Sequence, residues 1–156
     1  MQYRRKPYLR LPFYDYSQYG CYFVTICTKS RAKLFGDVIN SKMQLSPVDI
    51  IIEEHLLSLT QDFPNNELTD YVIMPNHLHF IWFNKTTSKL SDIVRKFKGK
   101  TSKAYHSAFK NIGYEPLWQR SYYEHIIRDE KNYLRISKYI ENNPVMWTED
   151  RFYSEI

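Results

Sequence analysis

Residues 68–83 read LTDYVIMPNHLHFIWF and contain two strand-like runs separated by a turn signal. The runs LTDYVIM (68–74) and HLHFIWF (77–83) are rich in β-branched and aromatic residues, which favour strands. The dipeptide Pro75-Asn76 between them is typical of tight turns. The stretch therefore predicts a β-hairpin near the middle of the chain.

The segments before this hairpin predict one strand and one helix. CYFVTICT (21–28) is rich in β-branched and aromatic residues and is expected to form a buried strand. SPVDIIIEEHLLSL (46–59) starts with Ser46, a favoured N-cap residue, and Pro47, a favoured residue at the first helical position. Its apolar residues recur on one face, so we expect a helix there.

The segments after the hairpin predict a long helix, a strand and a final helix. Apolar residues keep a helical rhythm over residues 90–108, and YYEHIIR (122–128) has the composition of a strand. Asp129 is suited to cap a helix that continues to about residue 142. The order β-α-β-β-α-β plus a C-terminal helix predicts an α+β, ferredoxin-like (split βαβ) fold, an antiparallel four-stranded sheet with two helices on one face. We expect residues 1–156 to form a single domain.

The composition restricts the broad class of the protein. Hydrophobic residues make up 43% of the chain, and 22 Lys plus Arg against 17 Asp plus Glu give a net charge of +5, which favours a polyanionic partner. No window approaches the length of a membrane-spanning helix, and the N-terminus lacks the apolar core of a signal peptide. Cys21 and Cys27 fit no metal-ligand or redox spacing. We therefore expect reduced thiols in a soluble, cytoplasmic protein without a membrane partner.

His77 and His79 are separated by one residue within the second predicted strand of the hairpin. Side chains at i and i+2 of a strand project from the same face, so the two imidazoles are expected to lie side by side. Two neutral imidazoles make half of a metal site, and a third ligand must then come from elsewhere. The alternative is a pair of polar residues bonded to backbone or water at the start of a strand.

Several segments resemble one protein family along nearly the whole chain. MPNHLH (74–79) resembles the histidine–hydrophobic–histidine motif of HUH endonucleases, in the form carried by single-tyrosine transposases. KYIENNP (138–144) and the closing W-x-x-D-x-F-Y pattern (147–153) are similar to the REP-associated tyrosine transposases. Further similar segments cover residues 10–36, 90–105 and 117–144.

This resemblance implies an activity in DNA transposition and recombination. Enzymes of the family are metal-dependent DNA endonucleases and strand transferases, which cleave and rejoin single-stranded, hairpin-bearing DNA through a 5′-phosphotyrosine intermediate. The expected partner is single-stranded DNA with hairpins, similar to repetitive extragenic palindromes or to the ends of a mobile element. The expected protein is a monomer or a homodimer.

The resemblance also assigns roles to four residues. It implies that Tyr139 is the nucleophile and that His77, His79 and Asn143 bind a divalent metal, Mg²⁺ or Mn²⁺. Imidazole chemistry alone would favour a metal such as Zn²⁺. Tyr139 and Asn143 are i and i+4, so they share one side of the final helix if that helix extends far enough. Glu141 is the alternative carboxylate ligand, although it lies about 200° around the helix from Tyr139.

Basic and aromatic residues elsewhere are the predicted DNA contacts. Lys and Arg would contact phosphates, and aromatic rings would stack on unpaired bases. The predicted DNA-binding residues are Arg4, Arg5, Lys6, Arg95, Lys96, Lys98, Lys100, Lys103, Trp118 and Arg120. For any one lysine a solvated helix face is an equally good interpretation, and core packing explains Trp118 equally well.

Two other functions fit the same residues. A basic, aromatic, ferredoxin-like domain, such as a domesticated transposase, would bind nucleic acid without chemistry. A metal-dependent hydrolase would use His77 and His79 on a small substrate, but it leaves the basic helix unexplained. His125 matches the family pattern, but the residues around it define no role, so it stays outside the predicted catalytic set.

Overall fold

The computed structural model describes residues 19–110 and 115–153. Within them, a four-stranded antiparallel sheet is the central element. In chain order the elements are β1 (Gly20–Cys27), β2 (Gly36–Ile39), β3 (Lys42–Leu45), α1 (Pro47–Leu57), α2 (Leu59–Asp62), β4 (Glu67–Met74), β5 (His77–Asn84), α3 (Leu90–Ala108), β6 (Tyr123–Ile127) and α4 (Glu130–Glu141).

The predicted ferredoxin-like fold is confirmed. The central sheet has the strand order β4-β5-β1-β6, and β2 pairs with β3 in a separate two-stranded sheet. Helices α1 and α3 connect the strands of the central sheet and contact each other, as the split βαβ arrangement requires. Pro75 and Asn76 form the connection of the β4–β5 hairpin, since Met74 pairs with His77. None of the described helices is long and apolar enough to cross a membrane.

The two faces of the central sheet carry separate apolar cores. Successive side chains of a strand point to opposite faces, so β1 contributes to both cores. The core beneath α1 and α3 includes Tyr22, Val24, Ile26, Leu78, Phe80 and Trp82. The core beneath α4 includes Cys21, Phe23, Ile81, Ile136 and Ile140. The histidine pair alternates with Leu78 and Phe80, and so lies on the α4 face.

The helix starts agree with the predicted boundaries, although one cap differs. Helix α1 begins at Pro47, but the Ser46 hydroxyl donates to the carbonyl of Leu34 at 2.7 Å and does not cap the helix. At the start of α4, the Asp129 carboxylate accepts from the backbone N–H of Asn132 at 2.7 Å, as expected of an N-cap. Helix α4 therefore starts from a fixed point beside β6.

The β2–β3 hairpin has no counterpart among the predicted elements. Its turn residues Asn40 and Ser41 both have positive φ, 53° and 61°, as in the mirror-image turns that suit hairpins. Gly36 has φ 135°, and a Cβ there would lie 2.0 Å from the carbonyl oxygen of Gln44, so the position requires glycine. The hairpin thus depends on backbone conformations that a hydrophobic pattern does not reveal.

A one-residue bulge interrupts β4 near its start. Leu68 pairs with Trp82, whereas Asp70 pairs with Ile81, the next residue on β5. Thr69 is therefore an extra residue on β4, and the alternation of side chains changes phase at this point. As a result Asp70 shares the face of its partner Ile81, which is the face covered by α4.

Asp70 attaches α4 to the sheet. Its carboxylate accepts hydrogen bonds from the hydroxyls of Tyr133 at 2.6 Å and Ser137 at 2.7 Å. Burial raises the pKa of Asp70, but the hydrogen bonds from Tyr133, Ser137 and Thr69 outweigh burial and lower the pKa overall. The ionised carboxylate thus fixes the helix from which Tyr139 projects.

We expect Asp70→Ala to lower the free energy of unfolding by about 2 kcal/mol, because two charge-assisted hydrogen bonds are lost. Urea denaturation measures the change. The matched control is Asp37→Ala on β2, whose ion pair with Lys33 spans 3.4 Å and is exposed, so a loss below about 0.5 kcal/mol is expected. Equal losses in the two variants would show that Asp70 does not attach α4.

Candidate metal centre beside Tyr139

Strand β5 places His77 and His79 side by side on the α4 face of the sheet. Their Nε2 atoms lie 3.1 Å apart, and their ring centroids 4.6 Å apart. In the β1–β5 ladder, His79 lies opposite Thr25 and His77 lies opposite Cys27. Both cysteines of the chain are free and buried. The two imidazoles therefore meet through the i, i+2 geometry of one strand.

The hydrogen bonds of Asn76 determine which nitrogen of His77 carries the proton. The Asn76 Nδ2 donates to the carbonyl oxygens of Phe152 at 2.7 Å and Arg31 at 3.3 Å, so its Oδ1 is an acceptor. That Oδ1 lies 2.9 Å from His77 Nδ1, which must therefore donate. The Nε2 atom of neutral His77 is left with a lone pair.

His79 has a matching arrangement on its other side. Its Nδ1 lies 2.7 Å from the Thr25 hydroxyl oxygen, and a donated Nδ1–H leaves Nε2 with a lone pair as well. Both Nε2 atoms, 3.1 Å apart, are then available to bind one cation. Two ligands at about 2.1 Å from an octahedral ion would be about 3.0 Å apart, close to the Nε2–Nε2 separation observed here. The pair therefore fits a divalent cation.

Burial keeps both histidines neutral. The pKa of His77 falls to about 3, chiefly because the ring is buried; the nearby Asn143 amide opposes this shift, and the charges of Arg31 and Arg151 add to it. Burial also lowers the pKa of His79 well below its usual range, and the neighbouring His77 and Arg151 lower it further. Neutral imidazole is the form that binds metals.

Acid should destabilise the metal-free protein. A histidine whose folded pKa is depressed takes up its proton only on unfolding, so stability falls as pH decreases from about 6.5 towards 3. His77 alone would contribute a slope of about 1.4 kcal/mol per pH unit in that window. Urea denaturation in EDTA between pH 7 and pH 5 measures the slope, which should be shallower in His77→Gln. An unchanged slope in that variant would contradict the assignment.

Helix α4 and the turn after it bring Tyr139 and Asn143 to the pair. The ring centroid of Tyr139 lies 5.4 Å from that of His79 and 6.1 Å from that of Phe23. The helix ends at Glu141, yet Asn143 turns inward, is 1% exposed and donates from Nδ2 to the Tyr139 carbonyl at 3.3 Å. Glu141, the alternative ligand, is exposed, whereas Asn143 and both histidines are buried.

The amide oxygen of Asn143 has no hydrogen-bond partner within the described part of the chain, although it is buried. A buried polar atom without a partner costs free energy and calls for a missing ligand. Two imidazole nitrogens and one amide oxygen are an acceptable donor set for a divalent cation. Asn143 also lies close enough to His77 for its amide to affect the pKa of that ring, so its unpaired oxygen is suited to a cation held by the histidines.

Asp150 is a residue of this site that the sequence interpretation did not include. Its Oδ2 lies 4.0 Å from His77 Nε2, and its ligand atom and those of the two histidines all lie within 4.8 Å of one another. Burial raises the pKa of Asp150, and the N–H of Phe152, which donates to Oδ1 at 2.8 Å, opposes that shift. The only sequence signal was its place in the closing W-x-x-D-x-F-Y pattern.

The segment that carries Asp150 also covers the histidines. It contains a short 3-10 helix (Trp147–Glu149), and the ring of Phe152 lies 4.5 Å from that of His77. Arg31 and Arg151 flank Phe152, with their guanidinium carbons 5.6 and 5.0 Å from the ring centroid. Both histidines are thus buried, and two cations lie close to them.

A family model described as "Transposase IS200 like" matches residues 17–143, most of the chain. That range includes the histidine pair, Tyr139 and Asn143. The chain belongs to the IS200-like transposase family. The family expected from MPNHLH and KYIENNP is therefore confirmed.

Relatives and a solved structure agree with this membership. A protein of Haemophilus influenzae described as uncharacterized is 39% identical over 168 aligned positions, covering 93% of this chain and 91% of that protein. The REP-associated tyrosine transposase of Escherichia coli is 25% identical over 131 aligned residues, which cover 83% of this chain and 69% of that protein. A REP-associated tyrosine transposase solved with a REP hairpin has a similar fold, with a TM-score of 0.64, 24% identity and coverage of 93% of this chain and 73% of that one.

The predicted DNA-contact residues fall into three groups in this transposase fold. Arg4, Arg5 and Lys6 lie outside the described residues. Three further cations are exposed: Lys96, Lys103 and Arg120. The remaining cations have protein partners. Arg95 pairs with Asp92 at 2.6 Å, and Lys100 pairs with Asp62 at 2.8 Å. Lys98 donates to the carbonyls of Gln119 at 2.8 Å and Ser121 at 2.7 Å. Lys98 thus has a structural role, and it anchors α3 to the segment before β6.

Trp118 is part of the core beneath α3. Its ring lies 5.5 Å from that of Phe35 and 5.7 Å from that of Phe97, and its Nε1 donates to the Thr101 hydroxyl at 2.8 Å. Only 7% of the residue is exposed. Core packing, the alternative left open for Trp118, therefore accounts for its position.

His125 contacts α4 and lies outside the metal cluster. It pairs with Phe23 in the β1–β6 ladder, and its Nε2 lies 3.2 Å from the Asn132 amide nitrogen in the first turn of α4. The cluster of possible metal ligands found among the described residues contains His77, His79 and Asp150. His125 thus occupies a polar contact between β6 and α4.

Proposed function

We propose that this chain cleaves and rejoins single-stranded, hairpin-bearing DNA through a 5′-phosphotyrosine at Tyr139. The observation that carries the proposal is the position of Tyr139, 5.4 Å between ring centroids from His79, beside the unsatisfied amide oxygen of Asn143. The E. coli relative is a REP-associated tyrosine transposase, and the solved relative binds a REP hairpin. Both support hairpin DNA as the substrate.

His77, His79 and Asn143 would hold a divalent metal, with Asp150 as a further oxygen ligand. Imidazoles alone would favour Zn²⁺, but amide and carboxylate oxygens are ligands that Mg²⁺ and Mn²⁺ accept. We therefore propose Mg²⁺ or Mn²⁺, in agreement with the family. When bound, the metal supplies positive charge that polarises the scissile phosphate and neutralises charge on its oxygens.

The chain's own residues would bring about a transesterification. The Tyr139 hydroxyl oxygen attacks the scissile phosphorus, the bond from phosphorus to the 3′ oxygen breaks, and that oxygen leaves as a hydroxyl after it takes up a proton. The 5′ phosphate stays joined to Tyr139 until a 3′-hydroxyl attacks it in the reverse step. Because the phosphotyrosine bond conserves the energy of the broken bond, rejoining needs no nucleotide cofactor.

Tyr139 needs assistance to lose its proton. Burial and the negative charge of Asp150 raise the pKa of Tyr139, while the Asn143 amide and the charge of Arg151 oppose the increase. An ordinary tyrosine is already mostly neutral at pH 7. Positive charge at the site, from Arg151 and Arg31 together with the metal, would therefore be required to generate the nucleophile and to bind the phosphate.

A DNA-binding domain without chemistry is the second candidate, and one observation favours it. His77 and His79 are 0% and 1% exposed, so a phosphate reaches them only if the covering segment moves. Hydrogen bonds hold that segment, from Asn76 to the Phe152 carbonyl at 2.7 Å and from Arg31 to the Arg151 carbonyl at 3.4 Å. A domain that only binds DNA needs no such movement.

A labelling experiment separates the two candidates. Purified protein is mixed with Mn²⁺ and single-stranded DNA that carries hairpins from the flanks of its own gene and a label at the 3′ end. The proposed reaction predicts a labelled band at protein size on a denaturing gel, absent with EDTA. DNA that shifts on a native gel but never forms the denaturation-resistant band would support binding without chemistry.

A further inference from the structure

A groove of about 650 Å³ lies between α3 and the segment 116–122 that precedes β6. This volume is within the range of ligand sites, about 300–1,000 Å³. The α3 wall of the groove consists of Ser91, Asp92, Val94, Arg95, Lys98, Gly99 and Ser102. Helix α3 covers the face of the sheet opposite to α4, so the groove is separate from the histidine pair.

Gly99 lies inside α3, where glycine is unfavourable. A glycine in a helix interior costs about 0.5–1 kcal/mol relative to alanine. A Cβ built at Gly99 would meet no heavy atom within 4 Å, so no neighbour in the described structure requires glycine. The missing side chain instead leaves the groove wall open, and a bound group can approach the helix backbone there.

The charges in the groove suit an anion beside an apolar group. Arg95, Lys98 and Arg120 supply three positive charges against the one carboxylate of Asp92, and Pro116 contributes exposed apolar surface. The contact of Arg95 with Asp92 joins side chains that are 80% and 44% exposed, and such surface pairs are weak, about 0–1 kcal/mol. An incoming phosphate can therefore replace the Asp92 carboxylate as the partner of Arg95.

We propose that this groove binds one unpaired nucleotide of the DNA, with its phosphate at Arg95 and Arg120 and its base against Gly99 and Pro116. The inference rests on the proposed function, because DNA is its ligand. It adds a second contact on the opposite face of the sheet from Tyr139. The transposase would thus hold unpaired DNA at a distance from the position where it is cut.

Filling the groove at Gly99 tests this site. Fluorescence anisotropy compares two hairpins from the gene's flanks, one blunt and one with a four-nucleotide single-stranded extension. Gly99→Gln should weaken binding of the extended hairpin about tenfold or more, because a base contact is worth about 1–3 kcal/mol. Binding of the blunt hairpin should stay within about twofold of the wild-type affinity. The melting temperature should not fall, because Gln is a better helix former than Gly. Ser107→Gln, exposed on the same helix outside the groove, should bind both hairpins like the wild type.

A second variant tests the charge in the groove without altering its shape. Asp92→Asn should tighten binding of the extended hairpin about threefold, because Arg95 is released. Glu54→Gln, an equal change of charge on the exposed side of α1, should affect the two hairpins equally. Equal effects of Gly99→Gln on the two hairpins, or no effect on either, would overturn the proposal.

The covalent assay distinguishes this proposal from the proposed function. With a saturating single-stranded oligonucleotide, Gly99→Gln should still form the phosphotyrosine band, because the groove is remote from Tyr139. If the wild type forms no band but Gly99→Gln still selectively weakens the extended hairpin, the chemistry is wrong and the groove assignment holds. If the band forms and that selectivity is absent, the groove assignment is wrong.

Discussion

Tyr139→Phe should abolish the covalent protein–DNA species and leave DNA binding intact. The substitution removes only the hydroxyl and keeps the ring that contacts His79 and Phe23. Removal of a catalytic nucleophile typically costs at least about a thousandfold in rate, so the labelled band should be undetectable. The denaturing gel with 3′-labelled DNA measures the reaction, and anisotropy measures the binding.

Tyr133→Phe is the matched control, because Tyr133 lies on the same helix, six residues before Tyr139. Its hydroxyl donates to Asp70 at 2.6 Å, so its loss should cost about 1 kcal/mol of stability. The covalent band should nevertheless form. A band that persists in Tyr139→Phe would place the nucleophile on another tyrosine.

Metal binding should raise the melting temperature of the wild type but not that of His77→Ala. A ligand at 100 times its dissociation constant stabilises the folded state by about 2.7 kcal/mol. For a domain of this size, that corresponds to about 5–10 °C. Calorimetry in EDTA, Mn²⁺, Mg²⁺ and Zn²⁺ measures the shift for each metal and tests the preference for Mn²⁺ or Mg²⁺.

The same measurement identifies the oxygen ligands. Asn143→Ala and Asp150→Ala should each reduce the metal-dependent shift if both side chains bind the ion. His125→Ala is the control and should retain the full shift, since this ring contacts Asn132 instead. A full shift in His77→Ala would refute a metal site at the histidine pair.

Most of the central sheet and its helices could be predicted because their signals are local. The hairpin of residues 68–83 combines two apolar strand-like runs with a turn dipeptide, and the structure forms both strands there. Helix α4 begins directly after the predicted cap, Asp129, since the capping hydrogen bond involves residues only three apart. The histidine pair follows from the period of one strand.

What could not be predicted depends on contacts between distant parts of the chain. Asp150 lies 73 positions after His77, and no periodicity links the two; only the folded chain brings them together. Lys98 has the pattern of a surface cation, but it donates to carbonyls more than 20 residues away. The β2–β3 hairpin requires left-handed backbone at Asn40 and Ser41, which polar turn residues adopt without a hydrophobic signal.

The bulge at Thr69 gives this gene an uneven tolerance to mutation. Leu68 and Tyr71, three residues apart, both contact the core beneath α1 and α3, which is possible only because β4 contains one extra residue between them. Loss of that single codon would make Leu68 and Asp70 consecutive residues of a regular strand, and their side chains would still point to opposite faces. An in-frame deletion at codon 69 would therefore keep Asp70 on the face covered by the helix of Tyr139, whereas loss of a codon in the regular part of β4, such as codon 72, would turn the residues on one side of the deletion to the wrong face.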